Sequence, residues 1–361
     1  MDLAINGRFL TQDITGVQRY AHELIRALDT ILDEKPRLRV TVLSPRLSKP
    51  PPAWRNIVLR QVGYLRGHAW EQFELPWYSR GETLFCPGNT APIVSLLGAQ
   101  PVVVTVHDLS YKYFPEAYRL AFRLWYGFII PMTLRHANSV ITVSEAERHA
   151  ISANYPSAAP RLHAIQNGGL ATGHLKPRST GAGTNKGYIL YVGSLSRRKN
   201  IFGVFEAACQ LARKRGFNFV FVGATASSLS AATIEVPPDI RPQITFVGQV
   251  DDVDTLVRYY QEAACLLFPS FYEASPLPPI EAMACGCPVV ASEIPSLTER
   301  CGDAAAYCDP HNIDSIIGTV ERVTDDSALR ATLRERGYRR AAIFTWESCA
   351  RRTLELLCDL A

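Results

Sequence analysis

Two glutamates, Glu273 and Glu281, lie in the stretch FPSFYEASPLPPIEAMACGCPVVAS at 268–292. A buried strand is expected to end at Pro269 and Ser270, and a loop to carry Glu273. Pro278 and Pro279 predict a helix start, because the first helical turn has no use for the missing N–H. Glu281 is then expected in that first turn. A glutamate near the positive end of a helix stabilises it by about 0.3–1 kcal/mol and needs no other role. The chemical alternative is a junction that holds an anion. Amides at a helix start bind phosphate, and carboxylates beside them grip sugar hydroxyls through paired hydrogen bonds. The spacing alone does not choose between the two.

Other residues could join such a site. Arg197, Arg198 and Lys199 form a basic turn between an expected strand and an expected helix. That setting favours phosphate binding over a merely solvated turn. His107 closes the run VVVTV at the carboxyl end of a strand, where open α/β sheets place their ligands, with Asp108 adjacent. A purely structural histidine is the alternative. Gly16 opens the first long helix, where turn formation and close approach of a ligand both call for glycine.

The elements that must position these residues alternate in type. The runs LAING, LRVTVLS, TLFCPG, PVVVTVHD and SVITVS read as strands in the first half. GYILYVG, FNFVFVG, ITFVG, ACLLFPS and CPVVAS repeat the style in the second. Helices are expected over 17–32, 118–135, 145–154, 200–215, 253–265 and 281–285. Alternating strands and helices predict doubly wound parallel sheets, and the nearly unbroken apolar runs suit strands buried on both faces. The Gly-, Ser- and Pro-rich stretch between 168 and 187 reads as a linker. It divides the chain into a domain at 1–170 and a second at 171–345. A final helix at 346–361 has no strand after it and is expected to pack elsewhere, the first domain included. Two such domains leave a cleft between the carboxyl ends of their strands.

Composition is that of a folded globular protein: 361 residues, 47% hydrophobic and 20% charged. A net charge of +4 falls well short of a nucleic-acid-binding stripe. Nine cysteines without a CxxC pair read as reduced, mostly buried thiols. The N-terminal MDLAINGRFL carries no signal-peptide pattern. No apolar run reaches the ~18 residues of a membrane span. The nearest, LAFRLWYGFIIPM at 120–132, is broken by Arg123 and reads either as a buried helix or as an aromatic-rich face toward lipid.

The donor-loop text PSFYEASPLPPIEAMACGCPVVAS resembles the signature of family 4 glycosyltransferases, which have the GT-B fold and retain anomeric configuration. VGSLSRRKN, FVGQV and LVRYYQEAACLLFPS resemble further parts of it. So do TGVQRYAHEL, TVHDLSYKYFPE, ANSVITVSEAER, NGG and FTWESCARRTLELL. The resemblance runs through nearly the whole chain in order. It implies that Glu281 binds ribose, that Glu273 contacts the transferred sugar, and that Lys199 with Arg198 neutralises the diphosphate. It implies His107 beside the donor sugar, and donor-facing positions at Gly16, Ser194, Val250, Ser275 and Leu277. No metal and no cofactor beyond the nucleoside-diphosphate sugar are implied, with GDP-mannose or a related sugar as the donor.

One segment departs from the family pattern. Its usual Glu-Gly-Phe-Gly-Leu-Pro is here Glu273-Ala274-Ser275-Pro276-Leu277-Pro278, so one backbone amide is missing where Pro276 stands. Ser194 stands where some relatives carry arginine. Two other readings stay open: an epimerase or phosphorylase on the same fold, and a degenerate scaffold. A dinucleotide oxidoreductase is disfavoured, because no G-x-G-x-x-G run follows a strand. The implied acceptor is a glycan or lipid-linked hydroxyl, and the implied place of work is the cytoplasmic face of the inner membrane. Trp54, Trp70, Trp77 and Trp125 are candidate sugar-stacking surfaces, with core packing as the plainer expectation.

Overall fold

The computed structural model of the chain describes residues 2–35, 37–48, 50–170, 187–224 and 235–360. The part of the expected linker at 171–186 lies outside them. The chain divides into two compact units, Met1–Gly168 with Trp346–Ala361, and Gly169–Thr345.

The first unit is built on seven strands: β1 (Asp2–Asn6), β2 (Arg39–Ser44), β3 (Val58–Gln61), β4 (Thr83–Cys86), β5 (Val102–Val106), β6 (Ser139–Thr142) and β7 (Leu162–Ala164). They pair in parallel in the order β3-β2-β1-β4-β5-β6-β7. All five residues of β5 are buried, as its unbroken apolar run requires. The winding reverses between β1 and β4, so the loops after these two strands part and open a crevice at their carboxyl ends.

Thr15 and Gln18 form a capping box that starts the helix Gly16–Ile31. Tyr20, Leu24, Ile25 and Leu28 of that helix turn inward. The last helix, Trp346–Cys358, packs against it and belongs to this unit. Arg351 reaches Glu34 at 2.8 Å, and Arg352 donates to the Ala164 carbonyl at 2.9 Å.

The second unit has six strands: β8 (Ile189–Val192), β9 (Phe219–Val222), β10 (Ile244–Gly248), β11 (Cys265–Phe268), β12 (Val289–Ser292) and β13 (Ala305–Cys308). Their order is β10-β9-β8-β11-β12-β13, all parallel, with the reversal between β8 and β11. The helix Ile201–Arg215 starts at Asn200, whose left-handed backbone (φ 55°) lets its own side chain accept from Gly203 N. It ends at Gly216 with Arg213, Lys214 and Arg215 in the last turn, which suits the negative helix end.

Three strands, β3, β7 and β13, are absent from the sequence reading, and each lies at a sheet edge. The helix expected at 281–285 runs over Leu277–Ala284. All nine cysteines are free thiols, and only Cys358 is exposed. Among the described residues no helix is long and apolar enough to cross a membrane. The helix Leu120–His136 buries Ile129, Ile130, Thr133 and Leu134, and it exposes Leu120, Leu124 and Phe128. Trp70 is fully buried, whereas Trp77 points outward.

Candidate active site

The loops after β8 and β11 meet at the reversal point of the second unit. The turn after β8 closes on itself through Lys199 N to Ser196 O (3.2 Å) and Asn200 N to Arg197 O (2.8 Å). It is tied to the loop after β11 twice. Phe271 N donates to Arg198 O at 3.0 Å, and Arg198 Nη1 donates to Tyr272 O at 2.8 Å. Gly193 leaves room for the Lys199 side chain, because a Cβ there would lie 3.0 Å from Lys199 Cδ, and its φ of +150° disfavours any other residue. Gly223 at the end of β9 meets the Gly193 carbonyl so closely that an added Cβ would lie 1.9 Å from it.

These constraints bring three of the expected residues together. Lys199 Nζ lies 2.6 Å from Glu273 Oε1, and Arg198 Nη1 lies 3.3 Å from Oε2. Ser270 Oγ donates to Glu273 Oε1 at 3.0 Å, and Ser270 O accepts from Ser292 Oγ at 2.5 Å. Lys199 Nζ also sits 4.8 Å from the centre of the Phe268 ring. Burial pushes the Glu273 carboxyl up, but Lys199 and Arg198 outweigh it and hold the group below its ordinary value. Burial moves the Lys199 ammonium down, against the pull of Glu273. Two cations share one carboxylate, so the cluster keeps one surplus positive charge. It can attract an anion in a place where water screens poorly. Ser194 begins the same turn, its carbonyl accepting from Tyr191 OH at 2.8 Å.

The helix start differs from expectation. Of the four residues Pro276, Leu277, Pro278 and Pro279, only Leu277 has an N–H, so the anion-binding amides expected there are mostly missing. Glu281 is the fifth residue of the helix, beyond its first turn. It is not a capping charge. It is buried, and Oε2 accepts from Tyr260 OH at 3.0 Å. Ser275 precedes this helix, Leu277 is buried at its start, and Val250 follows β10 half-buried against the core.

In the first unit, His107 is buried after β5. Its Nε2–H donates to Pro87 O at 2.9 Å, its backbone N–H donates to Asn89 Oδ1 at 2.7 Å, and Tyr20 packs edge-on at 4.7 Å. Burial lowers its pKa, against the Pro87 carbonyl and Asp108. Asp108 does not orient the ring: its Oδ1 accepts from Ser110 N at 2.9 Å and from Ser110 Oγ at 2.5 Å. Gly16 has no positive φ and open space around an added Cβ, so the turn itself does not demand glycine.

A second cluster, not anticipated from sequence, spans the ends of β1 and β4. Glu71, fully buried, accepts from Asn6 Nδ2 and Thr90 Oγ1 at 2.7 Å each, and meets Arg8 Nε at 3.3 Å. His68 Nδ1 lies 3.0 Å from it. Burial raises the Glu71 pKa, yet Arg8 and the surrounding donors hold it down to about 2. Among the described residues no three of His, Cys, Asp or Glu gather as a metal set would.

The comparisons with known proteins follow this division. Residues 14–168 match the model of Glycosyltransferase Family 4, and residues 175–340 match that of Glycosyl transferases group 1. O-antigen chain mannosyltransferase B of Escherichia coli is 29% identical over 264 residues, 70% of this chain and 68% of that protein. The structure of sucrose-phosphate synthase from Thermosynechococcus elongatus superposes with a TM-score of 0.74 at 21% identity, covering 100% and 99% of the two chains. That of Anabaena Alr3699/HepE in complex with UDP-glucose does so with a TM-score of 0.70 at 16% identity, covering 100% of both. At these identities the structures speak for the fold, two Rossmann-like domains of the GT-B type.

Proposed function

Because the chain belongs to the glycosyltransferases built from the family 4 and group 1 domains, we propose that it transfers a mannosyl or related hexosyl group from a nucleoside-diphosphate sugar to an acceptor hydroxyl, with retained configuration. The enzyme is a hexosyltransferase; the donor, the stereochemistry and the acceptor are the proposed parts. The observation that carries the reading is the Arg198–Lys199–Glu273 cluster, with its surplus positive charge, at the reversal point of the second unit.

In this reading the diphosphate displaces part of the hold of Glu273 on Lys199. As the C1–O bond to the diphosphate breaks, negative charge grows on the leaving oxygen, and Lys199 and Arg198 stabilise it. Glu273, released toward the sugar, faces the positive character at C1. The acceptor oxygen bonds to C1 on the same face, and its proton passes to the leaving phosphate. No metal is needed for this charge balance. Glu281 grips the ribose hydroxyls, held in place by Tyr260. Ser194, Val250, Ser275 and Leu277 complete the donor surroundings within this unit, and the family resemblance adds Gly16 and His107 as donor-facing positions. The acceptor is a glycan or lipid-linked hydroxyl met at the inner face of the cytoplasmic membrane.

The test is a screen of nucleotide sugars with the purified chain, reading hydrolysis and transfer. Turnover of a GDP- or UDP-hexose, lost in Lys199→Ala and Glu281→Ala, supports the assignment. Full activity in both variants removes it. Isomerised or phosphorolysed sugar without transfer favours the epimerase or phosphorylase reading.

A further inference from the structure

Glu273 is held by donors that divide between its two oxygens. Lys199 Nζ (2.6 Å) and Ser270 Oγ (3.0 Å) meet Oε1, and Arg198 Nη1 (3.3 Å) meets Oε2. Lys199 and Arg198 are cations, whereas Ser270 is a neutral hydroxyl. In the proposed transfer, an arriving diphosphate draws the cations toward itself. It exerts no such pull on a hydroxyl that already donates to a carboxylate. The contacts of Glu273 therefore respond differently to the same ligand. Without Ser270, the carboxylate would lose partners in a nearly dry place as the cations turned away, which is costly for a buried charge.

Ser270 is fixed in its place. It is buried directly after Pro269, where the chain leaves β11. Its carbonyl accepts from Ser292 Oγ at 2.5 Å, and Ser292, the last residue of β12, is fully buried. β12 lies beside β11 in the sheet, with Phe268 level with Ala291, so the two serines meet where both strands end. Ser270 precedes Glu273 by three positions, and one short stretch of chain links the anchor to the carboxylate. A hydroxyl at this depth needs a partner of its own, and Glu273 Oε1 supplies it.

We propose that Ser270 is a positioning residue for the transfer: its hydroxyl keeps one carboxylate oxygen of Glu273 anchored while the other is freed toward the sugar. The proposal rests on the glycosyl-transfer reading and deepens it. Lys199 and Arg198 turn to the leaving diphosphate, Oε1 keeps the hydroxyl, and Oε2 faces the positive character at C1. A hydrogen bond donated to the charged form favours that form, so the hydroxyl helps to keep Glu273 ionised as the cations leave it.

The test is the pH dependence of kcat and KM in Ser270→Ala, with Ser292→Ala as the control for loop packing. Ser270→Ala is expected to lower kcat by about tenfold, the size of a lost hydrogen bond to a charged group, and to leave KM for the nucleotide sugar within roughly twofold of wild type. Its acid limb should lie at higher pH, because a carboxyl with one donor fewer takes up its proton sooner on acidification. Ser292→Ala loosens the loop without touching Glu273, and its acid limb should stay at the wild-type pH. In a Glu273→Ala background, Ser270→Ala should lower kcat by less than roughly twofold, since the hydroxyl acts through that carboxylate. An acid limb that stays in place in Ser270→Ala, or moves equally in both serine variants, would overturn the proposal. So would full additivity with Glu273→Ala. Ser270→Cys, similar in shape and a weaker donor, should shift kcat and the limb in the same direction to a smaller degree, and it carries the test if Ser270→Ala does not fold. NMR of the labelled Glu273 carboxyl needs no turnover, and its titration midpoint should rise in Ser270→Ala. That rise, seen while no nucleotide sugar reacts, would count against the transfer reading alone.

Discussion

Lys199 and Glu273 stand 74 positions apart in the chain, yet Nζ and Oε1 lie 2.6 Å apart because β8 and β11 are neighbours in the sheet. Each residue holds the other's charge in a nearly dry place, and Arg198 completes the set.

Their asymmetry gives the first prediction. Lys199→Ala removes a cation aimed at the leaving group and is expected to lower kcat by 10²–10³-fold, as loss of one fixed transition-state donor does. Glu273→Gln should also slow turnover. It removes the negative charge that faces both cations, however, so nucleoside diphosphate alone should bind at least as tightly as to wild type. Calorimetry with GDP and UDP beside steady-state rates separates these effects; weaker diphosphate binding in Glu273→Gln would contradict the arrangement.

The second prediction concerns acid. Glu71 has a folded pKa of about 2 against an ordinary value of 4.5, and that of Glu273 is also depressed. For a depressed carboxylate the stabilisation is present above the unfolded value and is lost as pH falls through the folded one. For Glu71 the interval from 4.5 down to about 2 corresponds to roughly 3 kcal/mol. Urea unfolding of wild type and Glu71→Gln at pH 7, 4 and 2.5 should therefore show a gap that narrows with acid. A constant gap would show that the carboxylate's charge is not what stabilises the unit.

His107 titrates with the opposite charge change. Its folded pKa lies below 6.5, so the unfolded chain binds the proton more readily, and stability falls as pH drops through 6.5. Imidazole resonances followed by NMR should give a pKa below 6.5 and a proton on Nε2, facing the Pro87 carbonyl. A pKa above 6.5 would mean that the ring sits in a wetter or more negative place.

Gly16 offers a cleaner separation of stability from function. Open space and an ordinary φ mean that Gly16→Ala should leave the melting temperature unchanged or slightly raised, since alanine favours a helix over glycine by up to about 1 kcal/mol. Its proposed place beside the donor predicts a higher KM for the nucleotide sugar. An unchanged KM would remove Gly16 from the donor site.

Tyr260→Phe deletes the hydroxyl that donates to Glu281. A loss of about 1 kcal/mol is expected, near fivefold in nucleotide affinity, with kcat nearly preserved. The 2′-deoxy nucleotide should be affected much less, since the ribose hydroxyls are what Glu281 is proposed to hold.

Much of this was open to reading from the sequence, for physical reasons. β5 and β11 are buried on both faces, and their unbroken apolar runs announce it. The edge strands were not legible. β3 has three of its four residues exposed, β7 is three residues long, and β13, AAYC, carries no β-branched residue. The basic turn and Glu273 could be proposed as one site because each follows a strand end. Ser270 as the partner of Glu273, Tyr260 as that of Glu281 and Asn89 as that of His107 could not be named, since such contacts depend on side chains meeting through space. The Arg8–Glu71–His68 cluster joins Arg8 to two residues 60 or more positions away. Its one local signal, a charged residue beside Trp70 in a helical run, resembles many solvated faces. The amide-poor start at Pro276 to Pro279 was written in the residue types themselves; what the sequence reading misjudged was the position of Glu281 relative to it.

The two units share one winding, and each has its own crevice where that winding reverses. In the second, two cations face one carboxylate. In the first, Arg8 and Glu71 cancel one another and fill the corresponding place with their own hydrogen bonds. A twofold architecture has thereby become chemically lopsided: one copy sets two cations against one carboxylate, and the other pairs its charges one to one from within. Grafting a phosphate site onto the latter copy would require breaking that internal pair first. Any mutation that frees Arg8 by neutralising Glu71 should give the first unit a weak anion affinity of its own.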